Sequence, residues 1–122
     1  MVTDRTIISK VKQFGLELLE QGVHLQEIYL FGSYARGEQN EWSDVDIALV
    51  ADSFTGVSFE DIKQFIDVTI KKPYFLFEYH TFNTQDFIAG DPFIDEIKRT
   101  GILISVAVKN AVEAKSPILV GN

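Results

Sequence analysis

Residues 30–50 read LFGSYARGEQNEWSDVDIALV, and this stretch decides the fold. An apolar run ends at Phe31, the chain turns at Gly32-Ser33 and crosses a polar loop, and a second apolar run begins that carries Asp44 and Asp46. Alternate side chains of a β-strand share a face, so Asp44, Asp46, Ala48 and Val50 point one way. Val45, Ile47, Leu49 and Ala51 point the other way, toward a core. Two carboxylates on one strand face repel each other unless a cation lies between them. Oxygen donors of this kind suit Mg²⁺, which takes one or two carboxylates together with substrate phosphates and water. Gly32-Ser33 adds a complementary feature: glycine lets a backbone approach a phosphate closely, and a following helical turn presents free N–H groups. Phosphate at one end of the stretch and metal at the other is the layout of a nucleotide-processing site.

The remaining composition narrows the class. A chain of 122 residues is expected to bury one core. Hydrophobic content of 46% and charged content of 24% are ordinary for a globular domain. With no cysteine and two histidines, neither disulfides nor a thiolate zinc site can form. No apolar run reaches transmembrane length and the N-terminus lacks a signal-peptide core, so no membrane association is expected and the default location is the cytoplasm. A net charge of −7 argues against a long nucleic-acid footprint but tolerates a nucleoside triphosphate held through metal.

Outward from the central stretch, Ile7, Ile8, Val11, Phe14, Leu18 and Leu19 recur at helical spacing, with Thr3 or Asp4 as cap and Gly22 at the end. Residues 27–31 read as a strand and residues 33–37 as a helical turn. The loop that follows is polar apart from Trp42, read as partly buried packing or a base-stacking lid. A helix is expected over residues 59–71, capped by Ser58, with Phe59, Ile62, Phe65, Ile66 and Ile70 on one face and Pro73 beyond it. The aromatic-rich residues 74–82 read as a third strand. Asn83 or Thr84 caps a short helix, Asp91-Pro92 opens another, Gly101 closes it, and residues 102–108 read as a fourth strand or an extended arm. Asp52, Asp61, Asp86 and Asp95 read as solvated or capping residues.

The combination of Gly32-Ser33, ten intervening residues and Asp44-x-Asp46 entering an apolar strand is far more specific than its parts. With Tyr34-Ala35-Arg36-Gly37-Glu38 and with Ser43 before Asp44, it resembles the GS-x-ARG-E … SD-x-D pattern of the minimal nucleotidyltransferase (MNT) family. That family lies within the polymerase β-like nucleotidyltransferase superfamily. The resemblance covers residues 1–105 and implies one α/β domain, a small mixed β-sheet flanked by helices. Residues 106–122 are expected to be a C-terminal extension, frayed or partner-binding.

The resemblance implies transfer of AMP from ATP to an acceptor with Mg²⁺. Gly32, Ser33 and Arg36 would engage the triphosphate, and Asp44 and Asp46 would hold metal. The superfamily places a third acid on a neighbouring strand, and Glu78 is the candidate, on the face shared with Leu76 and His80. MNT proteins more often carry Asp there, so the longer Glu78 is a departure; its alternative role is an edge-strand charge. His80 reads as a packing or hydrogen-bonding residue. MNT proteins commonly act as antitoxins beside a helical HEPN toxin, which makes such a protein the expected partner; self-association is also compatible. Two rival readings stand beside the enzyme: a non-catalytic antitoxin acting by complex formation, and a small-molecule (antibiotic) adenylyltransferase.

Overall fold

A computed structural model describes residues 4–39 and 44–104. Its elements run α1 (Asp4–Glu20), β1 (Leu25–Phe31), α2 (Ser33–Arg36), β2 (Val45–Ala51), α3 (Ser58–Asp61), α4 (Ile66–Thr69), β3 (Phe77–Asn83), α5 (Thr84–Ala89), α6 (Pro92–Thr100) and β4 (Ile102–Leu103). The four strands form one mixed sheet in the order β3-β2-β1-β4. β1 is antiparallel to β2 and to β4, whereas β3 runs parallel to β2. The expected α/β fold with a small mixed sheet is therefore present. No described helix is long and apolar enough to cross a membrane.

Each sheet face is covered, because a strand with apolar residues on both sides needs two layers of packing. Val45, Ile47, Leu49 and Ala51 of β2 enter the larger core with Ile7, Val11, Phe14 and Leu18 of α1. Phe14 is its hub, with ring contacts to Phe65, Tyr74, Phe77 and Tyr79 at centroid distances of 5.9, 5.1, 5.7 and 5.2 Å. A fully buried ring of this size is worth roughly 1.5–3 kcal/mol. Ala48 and Val50, on the face expected to carry the carboxylates, are buried as well, in a second core with Tyr29, Phe31, Phe87, Ile94 and Ile97. Helices α5 and α6 thus close most of that face and leave the Asp46 end uncovered.

The segment after β2 departs from the expected single helix over residues 59–71. It breaks into α3, a 3₁₀ turn (Ile62–Gln64) and α4, with Phe65 off helical geometry at φ −142°. Phe59, Ile66 and Ile70 are exposed, and the buried residues are Asp61, Phe65 and Val68. Two causes act together. The run is rich in β-branched residues, which weaken helix formation, and Asp61 is drawn inward by polar contacts. Its carboxylate accepts hydrogen bonds from the Thr55 and Gly56 amides (2.8 and 3.0 Å) and from the Thr81 hydroxyl (2.6 Å). Asp61 is therefore not solvated, and its side chain makes no capping bond to the turn that follows, whereas Asp52, Asp86 and Asp95 are exposed. Burial alone would raise its pKa, but these donors outweigh burial and hold it below the ordinary value.

Ser58 is not the α3 cap, a position held by Val57. Its hydroxyl instead accepts from the Thr81 amide at 3.1 Å and satisfies a donor on the edge strand β3. β3 starts later than expected because Pro73 sets a 3₁₀ turn (Lys72–Tyr74). Tyr74 is buried there, and its hydroxyl donates to Glu17. Leu76 precedes the strand and packs against the larger core, so it does not share the Glu78 face. Asn83 and Asp91 cap α5 and α6 through their side chains, as expected, accepting from the Gln85 and Ile94 amides. Trp42, Ser43 and the extension 106–122 lie outside the described residues.

Candidate active site

The site forms where β1 ends beside the start of β2 and β3. β1 delivers Phe31 opposite Asp46 and then turns at Gly32. Gly32 has φ 75° and ψ −150°, a region that essentially requires glycine. A Cβ built on Gly32 would lie 2.3 Å from Asp46 Oδ2, so the turn backbone rests directly against this carboxylate. Tyr34, buried in the larger core, anchors α2 behind the turn. Gly32→Ala is expected to cost about 1–3 kcal/mol of stability from strain alone and to displace Asp46. A Gly32→Ala/Asp46→Ala double variant should recover the part due to the clash, read as a non-additive thermal shift. Strict additivity would show that Asp46 does not touch the turn.

The parallel ladder sets the acids. Asp46 pairs with Glu78 and Ala48 with His80, which places Asp46, Glu78 and His80 on one face. One ligand atom from each of these three lies within 4.8 Å of the others. His80 Nε2 is 3.4 Å from Asp46 Oδ1 and 4.0 Å from Glu78 Oε1. Burial raises the Glu78 pKa, and the Asp46 charge and a hydrogen bond to Asp46 raise it further. Asp44 pushes the same way, and only His80 opposes. Carboxyl groups crowded in this manner favour either a shared proton or a cation.

The remaining expected site residues fall around this group. Asp44 is exposed just before β2 and lies outside the group of three, although its charge reaches Glu78. Ser33 is half-buried and opens α2. Arg36 is exposed in the last turn of α2, its Nε 2.9 Å from Glu38 Oε1, so its charge is already partnered. His80 was expected only to pack or to hydrogen-bond, and its ring does pack: it meets Phe31 and Phe93 edge-on at 5.0 and 5.9 Å. The nearness of its Nε2 to two carboxylates is the addition. The sequence signal for it is its place two residues after Glu78 on a strand.

Comparison with known proteins identifies the family. The nucleotidyltransferase domain family matches residues 8–112. A candidate protein adenylyltransferase of Methanocaldococcus jannaschii is 41% identical over 51 residues, 42% of this chain and 51% of the relative. The chain thus spans about half the length of the curated relative it matches. Among solved structures, a candidate nucleotidyltransferase from Sulfolobus solfataricus superposes with a TM-score of 0.58 at 22% identity, covering 82% of this chain and 80% of that one. A chain from a toxin–antitoxin structure with AMP-PNP gives 0.48 at 17% identity, over 90% of each chain. The family match spans most of the chain and contains the Gly32 turn and all three acids, and the Sulfolobus structure shares the fold. The chain belongs to the nucleotidyltransferase domain family.

Proposed function

We propose that this protein transfers AMP from ATP to a protein acceptor, a helical HEPN-type toxin for which it serves as antitoxin, in a Mg²⁺-dependent reaction. One observation carries the reading: Asp46 and Glu78 stand in register across the β2–β3 ladder, with the Gly32 turn against Asp46. The donor set fits the cation, since carboxylate oxygens with room for phosphate oxygens and water are what Mg²⁺ takes. Asp44, Asp46 and Glu78 are the residues that would hold it; when bound, it neutralises charge on the attacking and leaving oxygens. The similarity to a candidate protein adenylyltransferase supports a protein acceptor.

The chain's own residues supply the rest. The Gly32-Ser33 turn, with no side chain at Gly32, lets its backbone lie close to the triphosphate, and Arg36 adds positive charge there once it leaves its exposed pair with Glu38. Positioning the acceptor hydroxyl in line with the α-phosphorus supplies much of the acceleration. The acceptor oxygen forms a bond to that phosphorus, the bond to the bridging oxygen breaks, and pyrophosphate leaves. The acceptor proton passes to a carboxylate oxygen of Glu78, which acts as general base.

Glu78→Gln keeps the shape and removes the charge. Transfer of labelled AMP to the co-expressed partner should fall by roughly a hundredfold or more, while calorimetry still registers ATP binding with metal. An unchanged rate removes Glu78 from the site. A parent protein that inhibits its partner without ever labelling it overturns the enzymatic reading and leaves inhibition by complex formation.

A further inference from the structure

We propose that His80 Nε2 is a further metal donor beside the carboxylates, making this a mixed nitrogen–oxygen centre that binds Mn²⁺ more tightly than Mg²⁺. The inference rests on the metal-dependent reading above and concerns the identity of the donors and the cation.

Geometry carries it. Two donors on one cation about 2.1 Å away stand about 3.0 Å apart at right angles and about 4.2 Å apart when opposite. The His80 Nε2 separations of 3.4 Å to Asp46 Oδ1 and 4.0 Å to Glu78 Oε1 fall inside that span. As a direct N–H···O contact, 3.4 Å is longer than the ordinary range of about 2.7–3.2 Å, so the pair gains little from hydrogen bonding alone. Two of the donors are also held in place. Asp46 and His80 belong to neighbouring paired strands, the His80 side chain is 28% exposed, and its ring is set between Phe31 and Phe93. Little Asp46 and His80 side-chain freedom remains to be lost on binding, whereas the exposed Glu78 side chain must be ordered.

Chemistry then selects the cation. An imidazole nitrogen binds transition-metal ions well, whereas Mg²⁺ is served by oxygen donors. The carboxylates keep the site hard enough for Mn²⁺, while the imidazole adds a donor that Mg²⁺ uses poorly. His80 ligates through the Nε2 lone pair, with its proton on Nδ1.

The test is pulsed electron paramagnetic resonance of Mn²⁺ added to the metal-free full chain. The expected spectrum shows coupling to one imidazole nitrogen, responds to isotopic labelling of histidine nitrogen, and loses the coupling in His80→Phe. Phenylalanine preserves a ring against Phe31 and Phe93, so the variant should fold, as circular dichroism will register. Its Mn²⁺ affinity should fall about tenfold or more, with Mg²⁺ affinity nearly unchanged. The other histidine, His24, precedes β1 at the far end of the sheet and is not expected to contribute. Tight Mn²⁺ binding with oxygen ligands only, or a nitrogen coupling that persists in His80→Phe, overturns the inference and leaves the metal-dependent transferase intact. Absence of any divalent-metal binding by the parent overturns both.

Discussion

Asp46→Asn is expected to lower AMP transfer by about a hundredfold to a thousandfold, the scale set by removing one group that stabilises developing charge. The fold should survive, and in metal-free buffer the thermal midpoint should stay level or rise slightly. The reason lies in the crowding at the start of β2. Asp46 contributes to the raised pKa of Glu78, and Asp44 adds to it. Removing one negative charge relieves a like-charge repulsion that a shared proton or a cation otherwise relieves. Asparagine is nearly isosteric, so the contact with the Gly32 turn is retained. Labelled-AMP transfer and calorimetric Mg²⁺–ATP titration separate the two parts. A full transfer rate would remove Asp46 from the role assigned to it; a large fall in the metal-free midpoint would make it a structural residue.

Asp61→Ala should be a strongly destabilising change away from the site. It strips hydrogen-bond acceptors from the part-buried Thr55 and Gly56 amides and from the buried Thr81 hydroxyl. Hydrogen bonds to a charged group are worth about 1.5–3 kcal/mol each and are not additive, so a loss of about 3 kcal/mol is expected. For a domain of this size that is roughly 10 °C in thermal midpoint. The pH dependence has a definite sign. Because the folded-state pKa of Asp61 is lowered, its contribution is fully present above the unfolded-state pKa and is lost as pH falls through the folded value. The parent should therefore lose stability toward acid more steeply than Asp61→Ala. Parallel acid-unfolding curves would show that the charge on Asp61 does not stabilise the fold. Asp61 also ties the β2–α3 turn to Thr81 of β3, the strand carrying Glu78 and His80. Activity should fall together with stability.

Patterns confined to one element were legible in the sequence. The α1 stripe at Ile7, Val11, Phe14 and Leu18, the alternation along β2, and the caps at Asn83 and Asp91 rest on helical period, strand period and local hydrogen bonding. The Gly32-Ser33 turn and the acids at Asp44 and Asp46 were likewise readable, because one short span carries them. The segment after β2 was not. Its apolar spacing at Phe59, Ile62, Ile66 and Ile70 promised a helix, yet partners remote in the chain bury Asp61, Phe65 and Val68 instead. Only the tertiary structure could decide three further things. Parallel pairing of β2 with β3 sets Glu78 opposite Asp46 and brings His80 Nε2 to 3.4 Å from Oδ1, because register across strands is fixed by packing. The Gly32 Cβ position meets Asp46 only once β1 and β2 pair. The second core exists because α5 and α6 fold back over Ala48 and Val50. Residue spacing determines what a strand or helix presents, whereas contacts between distant segments determine which groups converge.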